Sequence, residues 1–281
     1  MPPQLEPLLE GLVFPEGPRW HEGALFFSDM HDHRVVRVDL AGRSETVVEV
    51  PHRPSGLGWL PDGRMLVVSM TDRRLLRLEP TGLVEVADLT PVASWHCNDM
   101  VVDRAGRAYV GNFGFDLEAG APPVPADLAL VTPDGDVRIA AGELRFPNGT
   151  VITEDGRTLV VAESFGACLT AFDVAEDGSL SGRREWARLE GALPDGICLD
   201  AEGAIWVASP VSAEVLRVLS GGRVAERIPV ATQAFACMLG GPEGRHLFVC
   251  TAEGFEPEAA RVARAGRIEV TEVDVPHAGL P

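Results

Sequence analysis

Short apolar strands recur along the whole chain at a nearly constant spacing. Six times a turn containing glycine is followed at once by an apolar run, as in "PDGRMLVVSM", "EDGRTLVVAES" and "PEGRHLFVCT". The glycines of these turns lie 40 to 50 residues apart. Glycine after Asp, Glu or Ala is typical of hairpin turns, because such turns need a positive φ. The pattern therefore predicts six successive hairpins.

Further strand-like runs fill the space between the hairpins. Short apolar strands such as "GLGWL" and "GICLD" precede the turns, and alternating runs such as "RVVRVDL" and "EVLRVLS" follow them, while long amphipathic helical patterns do not occur. About four strands per repeat, six times over, predict an all-β fold: a six-bladed β-propeller with four-stranded blades around a central channel. A β-sandwich with irregular repeats is the alternative, and it would not explain the regular spacing.

We expect the repeats to form a single propeller domain over residues 1–281, a length that suits one large all-β unit. The longest insertion between strands, residues 114–128, is rich in Pro, Gly and acidic residues. Such a composition is typical of loops. We expect this segment to lie over one mouth of the channel.

The repeats also place one residue of each copy at an equivalent position. In copies two to six it lies eight positions before the turn glycine, and in the first copy seven. This residue opens the innermost strand, which begins near the propeller axis, so the set should line one end of the channel. We call the set the inner ring: Glu16, Ser55, Asn98, Asn148, Asp195 and Ala236.

The inner ring would bring two carboxylates and two carboxamides together, with no cationic side chain at any of its positions. A desolvated carboxylate must find a partner or change its pKa. A divalent cation would satisfy all of these oxygens, and oxygen ligands favour Ca²⁺, Mg²⁺ or Mn²⁺. For any one copy a local turn role is the simpler interpretation, because Asn and Asp suit turns. The four polar positions together, in phase with the repeat, favour a metal site.

The amino-acid composition limits the kinds of partner that the protein is expected to bind and the compartment in which it is expected. The net charge of −18 disfavours binding to nucleic acid or to an anionic membrane. We expect neither a transmembrane helix nor a signal peptide, because no long apolar run and no basic start occur. The five cysteines lack any C-x-x-C pair, which indicates reduced thiols and a cytoplasmic protein.

Five segments together carry a resemblance to a known family. They are "FPEGPRW", "CNDMVVDRAGRAYVGN", "FPNGTVITEDGRTLVVAES", "LPDGICLDAEGAIWVAS" and "ACMLGGPEGRHLFVCTAE". From about residue 10 to 255 the chain resembles the gluconolactonase, regucalcin and luciferin-regenerating-enzyme family of six-bladed propellers. The resemblance implies one divalent cation held by Glu16, Asn148 and Asp195, with Asp195 also the catalytic general base and Asn98 at the substrate.

The resemblance implies a metal-dependent hydrolase that opens a small lactone, such as a sugar-acid lactone of carbohydrate metabolism. Ca²⁺ is the first choice of metal, with Mn²⁺, Mg²⁺ and Zn²⁺ as alternatives. His96 stands where sugar-lactone members often carry an Arg that binds substrate hydroxyls, so it is expected to contact the substrate. Two alternatives stay open: a metal-dependent aryl-ester or organophosphate hydrolase on the same propeller, and a non-catalytic interaction propeller stabilised by its metal.

Overall fold

The computed structural model describes residues 4–281 of the chain. Within that range, 24 antiparallel strands form six separate four-stranded sheets. The inner strand of each sheet contacts the inner strand of the next, and the sixth sheet contacts the first, so the sheets close into a ring. The predicted six-bladed β-propeller is confirmed.

The first three blades run outward from the channel in chain order. Blade 1 consists of β2 (Pro15–His21), β3 (Ala24–Asp29), β4 (Arg34–Val38) and β5 (Ser44–Glu49). Blade 2 consists of β6 (Pro54–Trp59), β7 (Met65–Ser69), β8 (Arg74–Glu79) and β9 (Gly82–Asp88). Blade 3 consists of β10 (Cys97–Val102), β11 (Ala108–Asn112), β12 (Ala126–Val131) and β13 (Val137–Leu144).

The last three blades repeat this order, except that the final strand of blade 6 comes from the beginning of the chain. Blade 4 consists of β14 (Pro147–Ile152), β15 (Thr158–Glu163), β16 (Cys168–Val174) and β17 (Leu180–Arg188). Blade 5 consists of β18 (Ile197–Leu199), β19 (Ile205–Ser209), β20 (Glu214–Val218) and β21 (Val224–Pro229). Blade 6 consists of β22 (Gln233–Gly240), β23 (His246–Ala252), β24 (Gly266–Glu272) and β1 (Glu6–Leu12).

Pairing of β1 with β24 holds the ring closed. The two strands are antiparallel, with Glu6 opposite Val270 and Leu12 opposite Gly266. Residues from both ends of the described chain therefore share one sheet, and separating the first and last blades would break the hydrogen bonds of that sheet. A helix, α1 (Pro257–Ala263), connects β23 to β24. No helix within residues 4–281 has the length and apolar character needed to cross a membrane.

The burial of the strands explains their sequence pattern. Every residue of the inner strands β10 and β14 is buried, because these strands pack between neighbouring blades as well as against the channel. The outer strand β17 is largely exposed, and the outer strand β13 is mostly exposed or half-buried. Large side chains such as Trp206 fill the space between the sheets. The near-continuous apolar runs therefore belong to the inner and middle strands, and the polar ones to the outer strands.

The hairpin glycines have the conformation that their sequence context predicts. All six join an inner strand to the second strand of its blade and have φ between +68° and +86°. An L-residue with a Cβ adopts this region only at a cost, so glycine is favoured at each turn. These residues are Gly23, Gly63, Gly106, Gly156, Gly203 and Gly244.

The predicted insertion at residues 114–128 ends too late, because a strand begins before its last residue. The connection between β11 and β12 covers residues 113–125, and its last three predicted residues, 126–128, belong to β12. Ala126 pairs with Leu144 and Leu128 with Ala141, because the apolar alternation of "ADLALV" suits a strand. The remaining segment is called the 113–125 loop below.

Candidate active site

A cavity of about 280 Å³ opens at the end of the channel where the inner strands begin. Four predicted site residues line it: Glu16, Asn98, Asn148 and Asp195. Each belongs to a different blade, so their meeting depends on the closure of the whole ring. The structure therefore brings together residues that are up to 179 positions apart in the chain.

The inner strands begin close to the positions expected from the repeat. In four blades the strand starts one residue before the inner-ring residue, at Pro15, Pro54, Cys97 and Pro147. In blade 5 it starts at Ile197, two residues after Asp195, and in blade 6 at Gln233, three residues before Ala236. Asp195 is nevertheless fixed by its backbone, whose N–H donates to the carbonyl of Ala208 at 3.0 Å.

A glycine follows the inner-ring residue in four blades, and close packing of the backbone explains it. A Cβ on Gly149 would lie 2.5 Å from the nitrogen of Ile197 and 2.7 Å from the carbonyl oxygen of Asp195. A Cβ on Gly17 would lie 2.9 Å from the carbonyl oxygen of Ser55. Each inner strand thus packs directly on the backbone of the next blade. The motifs "PEG", "PSG", "PNG" and "PDG" allow this approach.

Substitution of Gly149 by Ala is expected to destabilise the protein by about 3 kcal/mol, because the new methyl group meets backbone atoms that cannot move aside. Chemical denaturation measures the free energy of unfolding. Gly254→Ala is the matched control, since a Cβ there meets nothing within 4 Å. Equal stability of the two variants would show that the blades can separate slightly at no cost.

The two carboxylates of the cavity lack a cationic partner. Burial raises the pKa of Glu16 from 4.5 to about 8, and the charge of Asp99 adds to the effect, while the Gly17 N–H opposes it. Burial and the charge of Glu16 raise the pKa of Asp195 well above 3.8. Neither carboxylate forms a salt bridge with any Arg of residues 4–281. Both face the cavity with only partial exposure to solvent.

The nearest guanidinium is already engaged beneath the site. Arg19 is buried, donates to Asp99 at 2.7 Å and also donates to the carbonyls of Leu57 and Met100. Asp99 in turn accepts from the backbone N–H of Met100 at 2.8 Å. This pair is neutral as a whole, so the charges of Glu16 and Asp195 remain without a counter-charge.

Both carboxamides of the site donate to groups in the cavity wall. The Asn98 amide donates to the carbonyl of Pro147 at 3.2 Å. The Asn148 amide donates to the hydroxyl of Ser164 at 3.3 Å, and that hydroxyl donates to the carbonyl of Pro194 at 2.7 Å. These bonds fix the two side chains and leave their amide oxygens free of them. The site therefore presents four oxygen-bearing side chains of fixed position.

His96, expected at the substrate, does not line the cavity. Its ring stacks on Trp95, and its centroid lies 6.1 Å from that of Phe113, which does line the cavity. Burial lowers the pKa of His96, so the ring is neutral near pH 7. Any effect of His96 on a bound molecule would therefore act through Phe113.

The 113–125 loop contributes to the cavity wall through Leu117 and Glu118. The Glu118 carboxylate pairs with Arg53, a lining residue from blade 2. On the same side, Nε2 of His31 donates a hydrogen bond at 2.9 Å to the carbonyl of Phe255. Burial lowers the pKa of His31 to about 4.

Comparison with known proteins gives the family. Residues 14–253 match the family described as the SMP-30/Gluconolactonase/LRE-like region. The chain belongs to this family. The matched range includes every residue of the inner ring, so the resemblance inferred from the motifs is confirmed.

Three proteins illustrate how this SMP-30/gluconolactonase/LRE-like protein relates to known members. Regucalcin of Danio rerio is 30% identical over 191 residues, covering 66% of this chain and 64% of that protein. The 6-deoxy-6-sulfogluconolactonase of Pseudomonas putida is 25% identical over 279 residues, which cover 96% of this chain and 94% of that protein. A calcium-binding protein, regucalcin of Agrobacterium tumefaciens, has the same fold, with a TM-score of 0.83, 21% identity and coverage of 100% and 97%.

Several residues at the site of this family member were not predicted from its sequence. Ser164, which holds Asn148, directly follows β15, the second strand of its blade. The residues at the same position in blades 1, 2 and 3 also line the cavity: Met30, Met70 and Phe113. Arg19 lies in the predicted "FPEGPRW" segment, but only its distance to Asp99 shows that it forms a buried pair. Phe14 and Phe146 line the cavity from the same repeat position, two residues before the inner ring, whereas Phe165 and Phe255 line it from connections outside the repeat.

Proposed function

We propose that this protein hydrolyses a small lactone in the cavity at the end of its channel. The observation that carries the proposal is the convergence of Glu16, Asn98, Asn148 and Asp195 on one partly enclosed cavity. Family membership supports it, since the Pseudomonas relative is named as a lactonase acting on 6-deoxy-6-sulfogluconolactone.

The donor set fits a divalent cation. Two carboxylates whose pKa values are raised by burial, next to a carboxamide, form an oxygen-rich site suited to a hard metal ion. Among residues 4–281 no group of three or more His, Cys, Asp or Glu side chains is placed to hold a metal ion, so a third side-chain ligand beside Glu16 and Asp195 would be of another type, such as an amide oxygen. Glu16, Asn148 and Asp195 would hold the cation.

Ca²⁺ is the first choice, because the similar Agrobacterium structure is named as that of a calcium-binding protein. Mn²⁺, Mg²⁺ and Zn²⁺ are the alternatives. When bound, such a cation polarises a carbonyl oxygen and lowers the pKa of a nearby water. The remaining chemistry belongs to residues of the chain.

Asp195 takes a proton from the attacking water, whose oxygen forms a bond to the lactone carbonyl carbon. The second N–H of the Asn98 amide stabilises the oxyanion or holds the substrate carbonyl. The ring C–O bond then breaks, and the leaving alkoxide takes up the proton held by Asp195, which regenerates the base. One water is consumed, and the product is an open-chain hydroxy acid.

Proton release at constant pH tests the proposal. Protein loaded with Ca²⁺, Mn²⁺, Mg²⁺ or Zn²⁺ is assayed against lactones, aryl esters and phosphotriesters, with chelated protein as the control. Opening of lactones that is lost on chelation supports the proposal. Turnover confined to aryl esters or phosphotriesters would contradict it. A melting temperature that falls on chelation, with no turnover of any substrate, would instead indicate a structural cation.

A further inference from the structure

We propose that the lactone carries an apolar substituent, a short alkyl chain or a single aryl ring, rather than several hydroxyl groups. The proposal rests on the lactonase function proposed above and names the substrate class of that site. Three features of the cavity lead to it: an aromatic wall, an apolar rim, and a shortage of free polar groups.

The aromatic wall consists of Phe113, Phe146 and Phe165, which all line the cavity. Phe113 and Phe146 stack with ring centroids 4.6 Å apart, and Phe146 and Phe165 stack at 4.9 Å. The three rings form one continuous row. A row of stacked rings offers an apolar face to a ligand and no hydrogen-bond partner for a hydroxyl.

Phe146 has a backbone conformation that is unusual for a bulky residue. Its φ is +62°, in the left-handed region, and it directly precedes Pro147 and the site residue Asn148. An aromatic residue with a positive φ is costly, and such strain occurs mainly at functional sites. Arg53 holds the equivalent position in blade 2 and has a similar φ of +64°. The conformation therefore belongs to the entry of the inner strand, where it brings both side chains to the cavity wall.

The rim of the cavity is apolar and exposed. Phe165, Val211 and Phe255 line the cavity, although their exposed fractions are 42%, 61% and 43%. Large apolar side chains that cluster on a surface mark binding sites more often than isolated ones do. Because the rim surrounds the entrance to the candidate site, its natural occupant is the part of the substrate that extends away from the reacting carbonyl.

The polar side chains away from the carboxylates have few groups to offer a hydroxylated ligand. Arg53 pairs with Glu118, and Ser164 donates to the carbonyl of Pro194. His31 donates from Nε2 to the carbonyl of Phe255, which leaves its Nδ1 as one free acceptor. Gln233 adds an amide. A sugar lactone would bury several hydroxyls here, and a buried hydroxyl without a partner is costly. An alkyl or aryl group carries no such requirement.

The size of the cavity limits the substituent. At about 280 Å³ it lies at the small end of ligand pockets, which usually exceed about 300 Å³. A lactone ring with a short chain or one aryl ring suits this volume, and a long chain would extend past the rim. Affinity should therefore rise over the first few methylenes and then level off.

The test compares kcat/KM for δ-valerolactone, its homologues with linear alkyl groups at the ring carbon next to oxygen, and D-glucono-1,5-lactone. We expect about a fourfold gain for each of the first methylenes, the factor that burial of one CH₂ group supplies. The alkyl lactones should exceed the sugar lactone by at least about tenfold. A flat series, or preference for the sugar lactone, would overturn the inference and leave lactonase activity established.

Phe165→Ala should reduce the ratio of kcat/KM between the best alkyl lactone and δ-valerolactone by about tenfold. The residue is partly exposed, so the variant is expected to fold, which its melting temperature checks. Ile139→Ala is the matched control, because Ile139 is equally exposed on the outer strand β13, away from the cavity. A ratio unchanged in both variants would show that the aromatic wall does not contact the substituent.

A second measurement separates this inference from the proposed function. Binding of δ-valerolactam and its alkyl homologues, which resist hydrolysis, is measured by calorimetry on the same metal-loaded protein. Affinity that rises with chain length, with a negative heat-capacity change, supports apolar recognition even if no lactone is opened. Affinity independent of chain length would overturn it.

Discussion

The Asp195→Asn variant is expected to lose lactone hydrolysis by about 10³-fold or more in kcat/KM while keeping its fold. Asparagine has nearly the same shape but cannot accept a proton from the attacking water, and a positioned base typically contributes 10²- to 10⁴-fold. The backbone of residue 195 would be unaffected, because its hydrogen bond to Ala208 involves no side-chain atom. Initial rates of proton release in metal-saturated buffer measure the loss.

Metal binding has to be followed alongside activity, since Asp195 is also a proposed ligand. Asp134→Asn, which alters an exposed carboxylate in a hairpin between outer strands, is the matched control and should behave as the wild type. Full activity of Asp195→Asn with bound metal would eliminate Asp195 as the base. Lost activity with the metal retained would separate the role of base from that of ligand.

The fold could be predicted because the same strand and turn pattern occurs six times in the sequence. One turn glycine and one inner-ring residue per copy are enough to place six blades, and the same register placed Glu16, Asn98, Asn148 and Asp195 at one cavity. Glu16 was found although its spacing to the turn glycine is one residue shorter than in the other copies. Residues in phase with the repeat meet at the axis because closure of the ring brings equivalent positions together.

The mouth of the cavity was not predictable in the same way. Phe165 and Phe255 lie on connections between strands, where each copy differs in length and the repeat gives no register. Phe113 and Phe146 do occupy repeat positions, but the residue types at those positions differ from blade to blade, so the pattern does not predict an aromatic wall. His96 is close to Asn98 in sequence, but its ring does not lie in the cavity wall.

This division has a chemical consequence. The residues proposed for catalysis lie at the beginnings of the inner strands, a position that repeats from blade to blade. The residues proposed for substrate choice lie mainly on connections that differ between blades. A propeller can therefore keep one reaction and change its substrate by altering the connections alone. Family membership supports the reaction, and the aromatic wall of this chain bears on the substrate.

The Glu16→Gln variant is expected to weaken Ca²⁺ binding by about 100-fold or more and, at the same time, to stabilise the metal-free protein. Loss of a supporting group near a metal typically costs 10- to 100-fold in affinity, and loss of a charged ligand should cost at least the upper end. Without metal, Gln removes a carboxylate whose burial disfavours its charge, which should raise the free energy of unfolding by about 2 kcal/mol. Calorimetry and denaturation in chelator measure the two effects.

Glu22→Gln, which alters an exposed carboxylate in the adjacent hairpin turn, should change neither quantity. The double variant Glu16→Gln/Asp195→Asn tests whether the two charges act on each other. Because the charge of Glu16 is one cause of the raised pKa of Asp195, each single substitution already relieves their repulsion. The gain in metal-free stability should therefore be smaller for the double variant than the sum of the single gains. Additive gains would show that the two charges do not interact in the metal-free protein, and wild-type Ca²⁺ affinity in Glu16→Gln would show that Glu16 is not a ligand.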